Sequence, residues 1–426
     1  MQPQITLYPG DNRETLRRLI AEGVQVHAVV TDPPYGLVSI EKRFGKKGAA
    51  AARTEGNDGS FNRLSKGFMG REWDGTGIER DPEFWALILD ILLPGGFCFA
   101  FSGARTGHWQ ACAMEEAGFI MHPFHVWAYG SGFPKAKDVS KELVKSDHGT
   151  ADLVETWEGW KFGTQSQKPA VEPIYLAQKP ISEKTYVANI LKHGVGAVNI
   201  DGCRVPLDPI GDAKQLRSMN RGQRFEAKNG QNWGMSTVSG ETVAVVKEDG
   251  RYPSNLFHDG SQEVVDLFPK DAGASSAEKV IAQDGEVDLT IQPAVGYSTS
   301  TARFFNCFPM DECPAVLYHP KANKKDRDGS EHPTVKPVGL LRHLIRHITP
   351  PGGVVLDPFA GSGTTAVAAQ AEGVDCIIME AEDDYVEFLR QRFGRGLNVS
   401  GSGMALDSTD LSDLFLTITD NETLLV

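Results

Sequence analysis

Several features are scarce in this chain of 426 residues, and each scarcity excludes a class of protein. Its six cysteines form no paired framework, which argues against a secreted disulfide scaffold and fits a reducing cytoplasm. The first residues lack the basic-then-apolar pattern of a secretory signal, and no run approaches the roughly 18 apolar residues that span a bilayer. No repeat with a period of roughly 20–50 residues is visible, which argues against a solenoid. We therefore expect a globular, cytoplasmic protein with no membrane partner.

Positive charge is also in short supply, because 43 lysines and arginines face 56 acids and the formal net charge is −13. Such a chain can bind a polyanion only through local basic patches. Three patches are candidates for phosphate contacts, and a solvated loop is the alternative in each case. Their basic residues are Lys42, Arg43, Lys46 and Lys47 in the first patch, Arg217, Arg221 and Arg224 in the second, and Lys321, Lys324 and Lys325 in the third.

Strand-like and helix-like segments alternate over residues 1–130 and again over 338–393. The apolar run 26–31 is typical of a strand that is covered on both faces. This alternation predicts an α/β fold in which helices flank a doubly wound, mostly parallel sheet. Residues 181–330 have weaker periodicity and are rich in Gly, Asn and charge, which predicts an inserted second domain.

The first chemical motif is Asp32-Pro33-Pro34-Tyr35, at the carboxyl end of the run 26–31. The two prolines remove two backbone N–H groups, so the loop presents carbonyl acceptors, to which Asp32 adds a carboxylate. Tyr35 supplies a flat face. Acceptors beside an aromatic plane suit an amino group on a planar ring, such as that of adenine or cytosine. The alternative is a turn that merely ends the strand.

The second motif runs from Asp357 to Thr365 as DPFAGSGTT, between a predicted strand and a predicted helix. Its glycines let a ligand approach the backbone at the positive end of that helix. A triphosphate is disfavoured, because no lysine follows Gly363 as a P-loop requires. A dinucleotide fits the looser fingerprint Gly361-x-Gly363-x-x-Ala366, with Glu380 as the acid. S-adenosylmethionine is favoured, because the amino-recognising motif has a task beside a methyl donor and none beside a nicotinamide.

These motifs and their order resemble those of the amino-methyltransferases that modify adenine N6 or cytosine N4 in DNA. The resemblance covers roughly residues 1–180 and 331–393, including Gly10-Asp11, Gly132-Phe133-Pro134 and Glu172-Pro173-Ile174. Here the DPPY motif precedes the glycine turn, and Thr334-Val335-Lys336-Pro337 comes just before that turn. This order is similar to the β group of the family, whose methyltransferase domain is circularly permuted.

The resemblance implies a role for each matching residue. The catalytic residues are Asp32, Pro33, Pro34 and Tyr35. The cofactor residues are Asp11 for the adenine, Glu380 for the ribose, and Thr334, Lys336, Asp357, Phe359, Gly361, Gly363, Thr364 and Thr365 for the remainder. The implied domains are a catalytic half (1–180), a target-recognition domain (181–330), a cofactor-binding half (331–395) and an acidic tail (396–426).

We therefore expect an S-adenosylmethionine-dependent DNA methyltransferase of the restriction-modification type, with a Rossmann-like sheet of seven strands. Its partner is double-stranded DNA, from which the target base is flipped out, and dimerisation is common in the β group. Adenine N6 is preferred, because similar cytosine-N4 enzymes often carry Ser in place of Asp32; cytosine N4 and an NAD-dependent oxidoreductase are the alternatives. No metal is expected, because the spacing Cys307-x5-Cys313-x5-His319 is not that of a known zinc finger.

Overall fold

The computed structural model describes residues 3–36, 76–130, 134–147, 149–163, 166–206, 250–268, 300–307 and 336–400. The chain divides into two compact units. The first unit contains residues 1–125, 172–199 and 321–426, and the second contains residues 126–171 and 200–320. The predicted domain 181–330 overlaps both units, and its boundaries stay a prediction. Within the described ranges, no helix combines the length and the apolar character that a bilayer crossing requires.

The strands of the described residues are numbered in chain order. They are β1 Ile5–Pro9, β2 Val26–Thr31, β3 Leu92–Phe101, β4 Ile120–Met121, β5 His125–Ala128, β6 Lys137–Asp138, β7 Lys161–Phe162, β8 Val171–Gln178, β9 Leu256–His258, β10 Asn306–Cys307, β11 Val354–Asp357, β12 Asp375–Glu380 and β13 Leu397–Val399.

The α-helices are numbered in the same way, and four short 3-10 turns accompany them in these ranges. The helices are α1 Asn12–Ala21, α2 Pro82–Ile91, α3 Gly107–Glu116, α4 Val139–Val144, α5 Ala151–Thr156, α6 Tyr186–His193, α7 Gln262–Val265, α8 Val338–Ile348, α9 Thr364–Glu372 and α10 Asp383–Phe393. The 3-10 turns are Ile78–Arg80, Asp201–Cys203, Thr301–Phe304 and Gly394–Gly396.

The first unit is built on a sheet in which the strand order is β8-β3-β2-β11-β12-β1-β13. Every neighbouring pair in this order is parallel except β3 and β8, and β4 also pairs with β8 in antiparallel fashion. Strands that are adjacent and parallel but distant in sequence require crossover connections, which here contain helices. The predicted α/β fold with a mostly parallel sheet is therefore confirmed; the predicted count of seven strands is exceeded, because β4 joins the seven strands of this order.

The core of this unit forms because the central strands are apolar on both faces. All six residues of β2 are buried. Helices α1 and α2 bury one stripe each, which includes Leu16 and Leu19 on α1 and Phe84 and Ile88 on α2. Aspartates begin both helices, since the side chain of Asp11 accepts a hydrogen bond from Glu14 N at 3.0 Å, and Asp81 caps α2 in the same way.

The topology brings four chain segments to one edge of the sheet. Strands β2, β11, β12 and β1 are consecutive and parallel, so the residues that follow each of them emerge on the same side. These residues include Asp32 after β2, the glycine turn after β11, Glu380 at the end of β12 and Gly10 after β1. In doubly wound folds the carboxyl ends of the strands are where ligands bind.

Short strands pair in two groups among the described residues of the second unit. Strands β5, β9 and β10 pair in parallel, with β9 in the middle, and β6 pairs with β7 in antiparallel fashion. The aromatic rings of Trp157 and Trp160 are exposed and lie edge to face, 5.4 Å apart at their centroids. Of the predicted zinc candidates, Cys313 and His319 lie outside the described residues.

Candidate active site

Asp32 occupies the position at which β2 leaves the sheet, and its two carboxylate oxygens differ. Oδ2 accepts a hydrogen bond from the ammonium of Lys336, which also makes this contact an ion pair. Oδ1 is buried and has no hydrogen-bond partner among the described residues. Pro33 and Pro34, which follow, are buried and carry no N–H group that could serve this oxygen. Among the described residues, one acceptor of this carboxylate therefore remains available to a further donor.

Tyr35 is held at both its backbone and its hydroxyl group. Its hydroxyl donates to Glu172 Oε2 at 3.1 Å, and its carbonyl accepts from Thr106 Oγ1 at 2.6 Å. Burial, and then the nearby carboxylates of Asp32 and Glu172, raise the pKa of Tyr35 well above its ordinary value. The ring therefore remains a neutral phenol, fixed in place next to Asp32.

Lys336 lies two residues before α8, and its side chain is buried among these groups. Its Nζ atom lies 3.6 Å from Glu172 Oε2, 5.2 Å from the ring centre of Tyr35 and 5.0 Å from that of Phe101. Burial acts to lower the pKa of Lys336, but the attraction and hydrogen bonds of Asp32 and Glu172 outweigh it and raise that pKa. The lysine therefore stays charged.

The glycine turn is braced by Asp357, the last residue of β11. Its carboxylate accepts hydrogen bonds from Thr31 Oγ1 at 2.8 Å, Thr365 Oγ1 at 2.6 Å and Phe359 N at 3.1 Å. Burial raises the pKa of Asp357 to about 6, although these hydrogen bonds act to lower it. The hydroxyl of Thr364 is bonded to that of Ser362 at 2.9 Å. These side chains fix the shape of the turn.

Two glycines of the turn are needed for their backbone conformation. Gly361 and Gly363 have φ values of 51° and 78°, which L side chains rarely adopt. A Cβ atom at Gly363 would also lie 2.5 Å from Leu389 Cδ2 and 2.9 Å from Phe393 Cε2. The turn therefore packs directly against α10, and no larger residue fits at this position.

Glu380 joins the glycine turn to the loop that follows β1. Its carboxylate accepts hydrogen bonds from Gly361 N at 2.7 Å and Glu382 N at 2.9 Å, and its carbonyl accepts one from Gly10 N at 2.8 Å. The side chain of Asn12 donates to Pro358 O at 3.1 Å. Burial raises the pKa of Glu380 to about 7, against backbone N–H groups that lower it. Asp11, between these contacts, uses a side-chain oxygen to cap α1.

The residues predicted from the sequence fall into two clusters. The DPPY residues and Lys336 form one cluster, while the glycine turn, Glu380 and Asp11 form another at the same edge of the sheet. The ring of Phe359 packs against that of Phe84, with centroids 5.4 Å apart. Thr334 and the three basic patches lie outside the described residues; these patches comprise Lys42, Arg43, Lys46, Lys47, Arg217, Arg221, Arg224, Lys321, Lys324 and Lys325.

Three contacts of the site were not predicted from the sequence. Lys336 was expected beside a cofactor, and the structure places its ammonium on Asp32. The family resemblance includes Glu172 without implying a role for it, and no sequence pattern points to Thr106. Their partners are far away in the chain, so no local pattern points to them. The only signal was a charged residue at the start of a strand, Glu172, followed by a proline.

Comparisons with known proteins agree on one family. A family model described as "DNA methylase", of the N6/N4 methyltransferase type, matches residues 26–391. The Type II methyltransferase M.HindIII from Haemophilus influenzae is 25 % identical over 210 residues, which cover 45 % of this chain and 64 % of that protein. Alignments with five curated relatives, M.HindIII included, cover 26 % to 64 % of those proteins, so the chain matches less than two thirds of each.

Two solved structures of methylases show a weaker similarity. A putative DNA modification methylase from Thermus thermophilus, complexed with S-adenosyl-L-methionine, has a TM-score of 0.39 and 16 % identity, covering 94 % of this chain and 99 % of that one. The cytosine-N4-specific PvuII DNA methyltransferase has a TM-score of 0.38 and 16 % identity, covering 98 % and 95 %.

Proposed function

Because the chain belongs to the N6/N4 family of DNA methylases, we propose that it transfers a methyl group from S-adenosylmethionine to the exocyclic amino group of a DNA base. Adenine N6 is the proposed target, on the strength of the Asp at position 32. What carries the proposal is the open acceptor of Asp32, which lies at the same sheet edge as the glycine turn. An amino group is the donor that this acceptor lacks.

The residues of the glycine-turn cluster fit S-adenosylmethionine. Glu380 offers a carboxylate to ribose hydroxyls, and the positive-φ backbone of Gly361 and Gly363 permits a close approach at the start of α9. Asp11 and Phe359 complete the proposed set around the adenine and the methionine, and Thr334 belongs to it by resemblance. Asp357, Thr364 and Thr365 would act through the turn that their side chains brace. When bound, the cofactor would supply an electrophilic methyl group on a sulfonium: the amino nitrogen bonds to the methyl carbon as the C–S bond breaks, the sulfur leaves as the thioether of S-adenosylhomocysteine, and the nitrogen loses a proton.

The chain's own residues would make the amino nitrogen nucleophilic. In a free base its lone pair is delocalised into the ring. Hydrogen bonds from the amino group to Asp32 Oδ1 and to the carbonyl of Pro33 would localise that pair and stabilise the positive charge that develops on nitrogen. Tyr35 would stack on the base after it has left the duplex. No covalent bond between enzyme and base is needed.

The remaining features of the proposal concern the whole chain. The motif order supports a circularly permuted domain of the β type, and residues 181–330 are proposed to recognise the target sequence. The three basic patches are proposed to contact DNA phosphates, since a chain of net charge −13 needs local positive surfaces for this. A restriction-modification role, cytoplasmic location and homodimer formation remain proposals of the same kind.

The test is nucleoside analysis after methylation. The purified protein is incubated with unmethylated DNA and cofactor that is radiolabelled in its methyl group, and the DNA is digested to nucleosides. We expect label in N6-methyladenine. Label in N4-methylcytosine would change the base but keep the enzyme class. Absence of label in either base, together with a thermal shift by NAD and none by S-adenosylhomocysteine, would overturn the proposal in favour of an oxidoreductase.

A further inference from the structure

We propose that Lys336 and Glu172 are positioning residues, which fix the two groups that are expected to hold the target base, Asp32 and Tyr35. This inference rests on the proposed function and extends it to two residues outside the DPPY motif. Both side chains are largely buried, with 7 % of Lys336 and 15 % of Glu172 exposed. Their contacts run through the site as a chain from Asp32 to Lys336, from Lys336 to Glu172 and from Glu172 to Tyr35.

The contact of Lys336 determines which oxygen of Asp32 remains open. The ammonium occupies Oδ2 and leaves Oδ1 without a partner among the described residues. A carboxylate held at one oxygen has a fixed orientation, so its second oxygen points in a defined direction. Lys336 thereby prepares an acceptor for one amino hydrogen before the base arrives.

Glu172 does the same for the stacking ring. It accepts the hydroxyl hydrogen of Tyr35 at 3.1 Å, while Thr106 holds the backbone carbonyl of that residue. Glu172 is the second residue of β8 and is partly buried, and Pro173 O next to it accepts a hydrogen bond from Ser102 N at 3.0 Å. The carboxylate is thus attached to the sheet itself, and together with Thr106 it restrains Tyr35 at both ends.

The balance of charges explains why the pair is needed rather than the lysine alone. Among the described residues, the charged groups that face Lys336 are Asp32 and Glu172, Tyr35 stays neutral, and Asp357 lies further on beside Asp32. If only Lys336 and Asp32 were present, their charges would cancel. A positive charge that develops on the amino nitrogen would then be stabilised only slightly. With the carboxylate of Glu172, the three residues Asp32, Lys336 and Glu172 carry one net negative charge. This charge stabilises the positive charge on the amino nitrogen.

Removal of the lysine would place two carboxylates together in a buried site. Like charges at short distance cannot both ionise easily, so one carboxyl group would retain a proton at a higher pH. If Asp32 is protonated, it is a weaker acceptor, and turnover falls. The pair therefore makes a specific prediction about the acidic limb of the pH–rate profile, which a purely structural role would not produce.

The experiment measures kcat and KM for methyl transfer to DNA between pH 5 and pH 9. The variants are Lys336→Met, Glu172→Gln, Lys336→Arg and the double variant Lys336→Met/Glu172→Gln. We expect Lys336→Met to move the acidic limb upward by about one pH unit or more. The double variant should move it back, because the second carboxylate is gone, and Lys336→Arg should keep the wild-type limb. Glu172→Gln should lower kcat by about tenfold with little change in S-adenosylhomocysteine affinity.

A matched control removes an ion pair of the same unit that is remote from the motifs, between Lys192 and Glu183. Lys192→Met and Glu183→Gln should leave the profile unchanged. The inference would be overturned if the acidic limb of Lys336→Met did not move. It would also be overturned if the acidic limb of the double variant lay where that of Lys336→Met lies. If Lys336→Met does not fold, an unchanged kcat in Glu172→Gln would overturn the inference. An inactive wild-type protein would instead overturn the proposed function.

Discussion

At the scale of single residues, the two oxygens of Asp32 have opposite situations. Oδ2 is engaged by Lys336, and Oδ1 is buried without a partner among the described residues. A buried acceptor that lacks a donor costs about 1–3 kcal/mol. Such a cost is expected at a binding site, where the ligand supplies the missing donor. The free protein therefore carries this cost, and the proposed bound base would relieve it.

The variant Asp32→Ala tests this role directly. We expect at least a 100-fold loss of methyl transfer, because one acceptor on the developing charge is removed, and unchanged affinity for S-adenosylhomocysteine. Radiolabel transfer and isothermal titration measure the two quantities. Asp90→Ala, which removes an exposed carboxylate at the end of α2, serves as the control. Near-normal turnover in Asp32→Ala would contradict the proposed mechanism.

The proposed contact of Glu380 with the cofactor predicts that cofactor binding depends on pH. Burial raises its pKa to about 7, so the carboxylate is mostly ionised at pH 8 and mostly neutral at pH 6. Since a carboxylate accepts ribose hydroxyls better than a carboxyl group does, affinity for S-adenosylhomocysteine should fall by up to about tenfold from pH 8 to pH 6. Titration calorimetry at both pH values measures this. In Glu380→Gln the affinity should be weak and independent of pH, and a preserved pH dependence there would refute the assignment.

The motif residues could be identified from the sequence, but their contacts could not. The DPPY motif and the glycine turn were found because their residue types and spacing are unusual over a short stretch. The contact between Lys336 and Asp32 joins residues more than 300 positions apart, and Glu172 enters from an antiparallel strand. Side-chain contacts of this kind depend on strand order and register, which local patterns do not encode.

At the scale of secondary-structure elements, the glycine turn combines backbone conformation with close packing. Gly363 precedes α9, and Gly373 follows it, with φ values of 78° and 74°. Only Gly363 is close to other atoms, because a Cβ there would meet Leu389 at 2.5 Å, whereas none lies within 4 Å at Gly373. A substitution at Gly373 therefore measures the cost of a positive φ alone, whereas one at Gly363 adds the cost of a steric clash.

We expect Gly363→Ala to be the more destabilising of the two substitutions. Both place a Cβ in a left-handed conformation, which costs about 1–2 kcal/mol, and overpacking against α10 adds about 1–3 kcal/mol at Gly363 alone. Thermal unfolding should show a lower Tm for Gly363→Ala than for Gly373→Ala. Calorimetry should show that only the first loses cofactor affinity. Equal losses in both variants would mean that packing against α10 is unimportant.

The predicted elements were largely correct, and their ends show what the sequence could not provide. The sequence of residues 84–93 predicts a helix closed by Pro94-Gly95-Gly96, but the helix ends at Ile91, and β3 begins at Leu92 and includes those three residues. The reason is non-local, because Leu92 pairs with Val26 and the register shifts before Phe97 pairs with Ala28. Proline and glycine are tolerated at such an irregularity. Residues 119–129, which are rich in aromatic and β-branched residues and so predict one strand, likewise form two short strands, β4 and β5.

At the scale of the whole molecule, buried histidines make stability depend on pH. His125, His343 and His347 lie together in the first unit, with ring centroids of the first two 6.0 Å and 6.1 Å from that of His347. Burial lowers their pKa values to about 4, 3 and 4, respectively, and their mutual repulsion contributes for the first two. The unfolded chain therefore takes up protons that the folded chain does not. The three histidines therefore do not change stability above pH 6.5, and they reduce it as the pH falls toward about 4.

The variant His347→Phe isolates this effect, because it keeps a ring beside Phe99 and removes one titrating group. We expect a smaller drop in Tm between pH 7 and pH 5 than in the wild type. The comparison is needed because Asp357 and Glu380, whose pKa values are raised, act in the opposite direction over the same range. His108→Phe, at an exposed position, should show the wild-type slope. An equal slope in His347→Phe would exclude the buried histidines as its cause.

The place of β1 in the sheet matters for biosynthesis. Strand β1 lies between β12 and β13, with Ile5 paired to both Cys376 and Leu397. During translation β1 leaves the ribosome long before either neighbour has been made, so a nascent chain carries the DPPY motif without a complete sheet to support it. A product of premature termination ahead of β12 would lack both neighbours of β1 and could not complete the sheet.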